Sequence, residues 1–102
     1  MNIAIVGGSG FIGRHTANEL IRHGHTVTIF DKVKPCFTED YEKVDALNLK
    51  ELDSAFRRHG SFDAVYMFAA ISDSKENHTD IQHAVNTNIM CLTNTLKICE
   101  DQ

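Results

Sequence analysis

The chain has 102 residues, 42% hydrophobic and 24% charged, which supports one packed domain and excludes disordered, collagen-like and disulfide-scaffold classes. Ten Lys and Arg against 14 Asp and Glu give a net charge of −4, so the charge balance favours no nucleic-acid partner. The apolar run that contains Val65 to Ile71 is too short to cross a bilayer, and the N-terminus lacks a signal-peptide layout; a cytoplasmic chain with no membrane partner is expected.

In chain order, Ile3-Ala4-Ile5-Val6 is short, β-branched and closed by Gly7-Gly8, as for a strand buried on both faces. From Phe11 the period becomes helical, with Ile12, Thr16, Leu20 and Ile21 predicted on one face and Gly24 past the end as a C-terminal cap. Thr26 to Phe30 is a second strand, and Lys43-Val44-Asp45 a short third one. Asn48, with Glu51 three residues on, is an N-cap signal for a helix through Leu49, Leu52, Ala55 and Phe56, which stops at Arg58-His59-Gly60. Ala64 to Phe68 is the fourth strand. A last helix opens at Thr79-Asp80-Ile81-Gln82, and its predicted apolar face is Ile81, Val85, Ile89, Leu92, Leu96 and Cys99. This alternation predicts an α/β, Rossmann-like, doubly wound parallel sheet, partial at about four strands, in the order 3-2-1-4. That order leaves strand 4 at an edge despite its continuous apolar run, so a further neighbour is expected.

Gly7, Gly10 and Gly13 are spaced by three between the first strand and the first helix. Such glycines give a tight turn, bare backbone against a pyrophosphate and close helix-to-sheet packing, with the phosphates on free N–H groups at the helix N-terminus. Asp31 ends the second strand, 18 residues past Gly13, where a carboxylate can accept both hydroxyl protons of an adenosine ribose and repel a 2′-phosphate. NAD is therefore expected over NADP, with Lys32 and Lys34 as cations that could offset that repulsion. The glycines also satisfy Gly-x-Gly-x-x-Gly through Gly8, Gly10 and Gly13, a pattern shared with FAD-type folds, which later residues disfavour.

The run Gly7-Gly8-Ser9-Gly10-Phe11-Ile12-Gly13-Arg14-His15 resembles the Gly-x-x-Gly-Phe-Ile-Gly signature of the extended short-chain dehydrogenase/reductase group, in particular the NAD-dependent epimerase/dehydratase family with its UDP-glucose 4-epimerase-like enzymes. The resemblance implies backbone contacts to pyrophosphate at Phe11 and Ile12. It implies an adenine-reading pair at Asp45-Ala46, and small residues beside the centre of the cofactor at Phe68-Ala69-Ala70. Asn88 matches the family's helix asparagine and is expected to tie its helix to the loop after strand 4. Met67-Phe68 and Cys91-Leu92 depart from the common His-Leu and Gly-Thr.

Family enzymes place a Tyr-x-x-x-Lys and a sugar-binding lobe later in a longer chain, and neither Tyr41 nor Tyr66 has a Lys four residues on. Residues 1–102 are thus expected to be an NAD(P)-binding N-terminal part, with the catalytic and substrate-binding part absent and no proton-transfer machinery of their own. The implied partners are a dinucleotide, a nucleotide-sugar substrate in the complete enzyme and a second copy in a homo-oligomer. The alternative is a noncatalytic NAD(P)-sensing or regulatory module. The histidines form no spaced ligand set. Cys36, Cys91 and Cys99, odd in number and without a Cys-x-x-Cys pair, suit a reducing compartment, with Cys91 and Cys99 expected in the core. The Asn77-His78-Thr79 sequon would be idle in the cytosol.

Overall fold

A computed structural model describes residues 1–38, 40–69 and 81–100. In chain order the elements are β1 (Asn2–Val6), α1 (Phe11–Arg22), β2 (Thr26–Asp31), β3 (Tyr41–Lys43), α2 (Leu49–His59), β4 (Ala64–Met67) and α3 (Ile81–Glu100). All strand pairs are parallel and the order is β3-β2-β1-β4, as the alternation of strand and helix predicts. The chain leaves β1 towards β2 on one side and returns to β4 on the other. A crevice therefore opens above the carboxyl ends of β1 and its neighbours, at the point where the winding reverses.

β1 is the centre of this arrangement because its residues are apolar on both faces. Ala4 and Val6 pack with Phe30, Leu52, Phe56 and Ile98 on one side, while Ile3 and Ile5 pack with Ala17, Val27 and Ile29 on the other. The Phe30 and Phe56 rings stack with centroids 4.4 Å apart, and Phe62 meets both edge-on. Each fully buried ring of this kind contributes about 2–3 kcal/mol by removal from water. The start of β1 is fastened across the sheet, where the Asn2 N–H donates to the Asp63 carboxylate at 2.7 Å and the Asn2 amide donates to the Ser61 carbonyl at 2.8 Å.

The helix ends follow their local signals. The Gly24 N–H reaches the Ile21 carbonyl and the His25 N–H the Leu20 carbonyl, a Schellman closure of α1. Asn48 caps α2 by accepting from the Glu51 N–H at 3.1 Å. Glu51 reaches back to the Asp45 N–H at 3.3 Å, so it supports the turn before the helix as well as the helix itself.

Three expectations need correction. β3 lies at Tyr41–Lys43, because Val44 still donates to the Asp31 carbonyl but Asp45 already opens a turn, accepting from Asn48 N–H on its carbonyl and from Leu47 N–H on its side chain. α1 packs through its small residues Gly13 and Ala17, with Thr16 and Leu20 half-buried, while Ile12 and Ile21 face out. α3 is turned round: Cys91, Asn94, Thr95 and Ile98 face the sheet, and Val85, Ile89, Leu92 and Leu96 are exposed, Leu96 at 59%. The inward face tolerates its polar groups because the Asn94 amide donates to the Ala46 carbonyl at 2.9 Å and the Thr95 hydroxyl to the Cys91 carbonyl at 2.8 Å. Cys91 is buried as expected, and Cys99 is exposed. The Thr79-Asp80 cap and the Asn77 sequon lie outside the described residues.

β4 is an edge strand, with Tyr66 37% exposed, and α3 carries an outward apolar row on its face away from the sheet. Unpaired edges and apolar rows associate in water. The 102-residue chain should show a concentration-dependent sedimentation coefficient, and Leu92→Lys with Leu96→Lys should reduce it; a clean monomer at all concentrations would contradict this.

On the opposite edge, Glu42 of β3 accepts from the Arg58 guanidinium at 2.8 Å and meets the His59 Nε2 at 3.0 Å. The Arg58 hydrogen bond, helped by His59, holds the Glu42 carboxyl below its ordinary range. A depressed folded-state value means that the linked stability is present above the unfolded Glu value of about 4.3 and is lost as the pH falls through the lower folded value. Glu42→Gln should therefore unfold more easily than the parent near neutral pH, with the two denaturant midpoints converging in acid. A constant offset down to about pH 2, below the usual carboxylate range, would contradict the assignment.

Candidate functional site

The glycine turn is built by close approach. Gly7 leaves β1 at φ +87°, and a Cβ there would lie 2.4 Å from the Ala69 nitrogen, so the turn passes directly beneath the end of β4. At Gly13 a Cβ would lie 2.6 Å from the Gly8 Cα, which seats the first turn of α1 on the loop itself. Gly10 differs: it lines the crevice, and a Cβ there would meet nothing within 4 Å. The space a side chain would fill there is open.

Gly10 is also the N-cap of α1 and has no side chain to cap with. The first intrahelical bond runs from Arg14 N–H to the Gly10 carbonyl at 2.8 Å, so the amides of Phe11, Ile12 and Gly13 have no partner within the helix. Bare amides at a helix start carry partial positive charge and bind anions.

The crevice has a volume of about 700 Å³. Its floor is Gly7, Gly10, Phe11, Ile12 and Gly13, one wall is Asp31, Lys32, Asp45 and Ala46, and Phe68 and Ala69 close the β4 side. Of the residues singled out from sequence, Ala70 lies outside the described residues. Asn88 does not line the crevice; it is half-buried on α3 beside Thr87, which does. Val33 and Cys91 also line it, as does Ser9 from within the glycine turn.

Asp31 is held at both oxygens. Oδ2 accepts from the Ser9 N–H at 3.0 Å and Oδ1 from the Val33 N–H at 3.2 Å. Asp45 folds onto its own turn by accepting from the Leu47 N–H at 3.0 Å, and the Asn94 amide fixes the next carbonyl, that of Ala46. Asn94 is the supporting residue that sequence reasoning missed. Its signal was a polar residue three positions after Cys91, on the helix face opposite the apolar row.

Burial, followed by Asp45, raises the Cys91 thiol that lines the crevice, and burial, with Asp31 nearby, raises the Tyr41 phenol on β3 outside that lining, so both stay protonated at neutral pH. Among the described residues no group of His, Cys, Asp and Glu could hold a metal ion, and no helix is long and apolar enough to cross a membrane. The arrangement can bind an anionic, hydroxyl-bearing ligand and orient it.

Comparison with known proteins agrees with this geometry. The chain is 33% identical over 95 residues to a bifunctional UDP-glucose 4-epimerase and UDP-xylose 4-epimerase of Pisum sativum, a match covering 74% of this chain and 27% of that enzyme. The crystal structure of Thermus thermophilus UDP-glucose 4-epimerase in complex with NAD superposes with a TM-score of 0.86 at 25% identity, over 99% of this chain and 34% of that one. A GalE-like L-threonine dehydrogenase from Cupriavidus necator in its holo form gives a TM-score of 0.86 at 30% identity, over 99% and 33%. The chain thus spans about a third of the length of these proteins. The sequence model of the NAD dependent epimerase/dehydratase family matches residues 3–102, and the chain belongs to that family.

Proposed function

We propose that this chain is the NAD-binding part of an epimerase/dehydratase-type oxidoreductase that acts on a nucleotide-activated sugar, in the cytoplasm. The observation that carries the proposal is the single crevice that holds both the uncapped amides at the start of α1 and the Asp31 carboxylate, with an unfilled Cβ position at Gly10 between them. These are the donor and acceptor sets a dinucleotide requires, amides for its diphosphate and a carboxylate for its ribose.

In this reading Phe11 and Ile12 give backbone N–H groups to the diphosphate, and Asp31 accepts from the ribose hydroxyls beside Lys32. Asp45 and Ala46 meet the adenine, while Phe68 and Ala69 form the wall along the cofactor's centre, where the family resemblance adds Ala70. Asn88 steadies the helix behind that wall. Bound NAD supplies hydride-accepting chemistry. The residues of this chain bind and orient it, and the proton-transferring tyrosine and lysine, with the substrate lobe, are supplied by a further part of the parent protein. The nucleotide sugar is drawn from relatives such as the Pisum sativum enzyme, whereas the likeness to an L-threonine dehydrogenase indicates that substrate choice resides outside these residues.

The isolated chain should bind NAD weakly and turn over no sugar nucleotide, because in this reading the substrate lobe lies in a further part and neither Tyr41 nor Tyr66 has a Lys four residues on. In calorimetric titration, Asp31→Ala should weaken NAD binding by about tenfold or more, the loss of charge-assisted hydrogen bonds to the ribose. Unchanged affinity would remove Asp31 from the site.

Two glycine variants separate binding from folding. Gly10→Val should abolish NAD binding and leave the thermal midpoint within about 2 °C of the parent, since its side chain enters open space. Gly13→Ala should lower the midpoint, because its Cβ would meet backbone. The reverse pattern would refute the assignment of the turn. A coding sequence that continues without a Tyr-x-x-x-Lys would favour a noncatalytic dinucleotide-sensing module.

A further inference from the structure

We propose that Ser9 is a positioning residue that makes the crevice select a dinucleotide with an unmodified adenosine ribose over one carrying a 2′-phosphate; the inference rests on the dinucleotide reading above. Three hydrogen bonds close a clasp between the glycine turn and the exit of β2. Ser9 N–H donates to Asp31 Oδ2 at 3.0 Å, Val33 N–H donates to Asp31 Oδ1 at 3.2 Å, and the Ser9 hydroxyl donates to the Val33 carbonyl at 2.5 Å. Ser9 and Val33 are thus joined to each other and to opposite oxygens of one carboxylate.

The clasp does two things to Asp31. An ionised carboxylate offers about four lone-pair sites, and two are taken by the backbone amides, so about two acceptor sites remain for the two hydroxyl donors of a plain ribose. The clasp also stops the carboxylate from turning away. A 2′-phosphate replaces one of those donors with acceptor oxygens and further negative charge. A free carboxylate at the end of a strand can rotate aside and leave such a group to a neighbouring cation, and Lys32 lines this same crevice. A carboxylate tied at both oxygens cannot move without breaking a bond. Selectivity therefore depends on the hydroxyl that holds the Val33 segment against the turn, as well as on the charge of Asp31. Ser9 touches the ligand through neither group; it acts through Asp31 and Val33.

The test is an amide NMR titration of the 102-residue chain with NAD and with NADP, for the parent, Ser9→Ala, Ser9→Thr and Val33→Pro. Ser9→Ala removes the hydroxyl link, Ser9→Thr restores a hydroxyl, and Val33→Pro removes the amide donor from the other arm. The parent should prefer NAD. Ser9→Ala and Val33→Pro should each narrow that preference by about fivefold, the effect of one modest hydrogen bond, while Ser9→Thr retains it. A purely structural role for Ser9 would change both affinities together and leave the ratio alone. Thermal unfolding checks that each variant is folded, and Ser9→Ala decides the matter where Val33→Pro is not. An unchanged ratio in folded Ser9→Ala, or an equal loss in Ser9→Thr, overturns the proposal. A parent that binds both dinucleotides equally overturns it too and leaves the dinucleotide reading standing. A parent that binds neither refutes both.

Discussion

The fold and the site both depend on how closely the backbone of Gly7 approaches that of Ala69. With only 2.4 Å available where a Cβ would stand, the turn after β1 can run beneath the end of β4 only as glycine. That contact sets the direction in which the chain enters α1. It therefore aims the bare amides of Phe11 and Ile12 at the crevice between β1 and β4. The sheet supports the contact from below, since a strand buried on both faces leaves its carboxyl end little freedom. The floor of the crevice is thus set by backbone geometry, while the side chains of Asp31, Lys32 and Asp45 line its wall.

Much of this was legible in the sequence. The order of strands, the turn, the Gly24 closure and the Asn48 cap each follow from local signals whose physical causes act within a few residues. Where the sequence misled, the deciding interaction was distant. For α3 the periodic row Val85, Ile89, Leu92 and Leu96 is the strongest apolar stripe, yet the sheet takes the opposite face. Asn94 reaches a carbonyl 48 positions earlier, and Thr95 satisfies its own hydroxyl on the preceding turn. Hydrophobic periodicity reports that a helix has an apolar face. It does not report which partner that face meets.

The same distinction applies to α1. Its large apolar residues, Ile12 and Ile21, suggested a packing face one step round from the real one, since Gly13 and Ala17 let the helix axis come close to the sheet. Small residues bury little area but permit close contact, and here the contact was needed to seat the helix start over the turn. Within the site, Asp31 was identifiable from its place at the end of β2, but its two backbone partners were not, because the loop that carries Val33 has no periodic signal.

The fastening of Asn2 to Ser61 and Asp63 has a consequence for the order in which the molecule is made. Parallel pairing joins segments that are far apart in the chain, and such contacts form late. As the polypeptide emerges, the central strand can join its first neighbour once residue 31 is available, but its other flank stays open until residue 67 has followed, at about 5–20 residues per second. For that interval the most apolar segment of the protein presents an unsatisfied ladder to its surroundings. A ribosome that stalled between those two points would hold a nascent chain prone to aggregate, whereas a pause just after β4 would release one whose hydrophobic centre is already flanked.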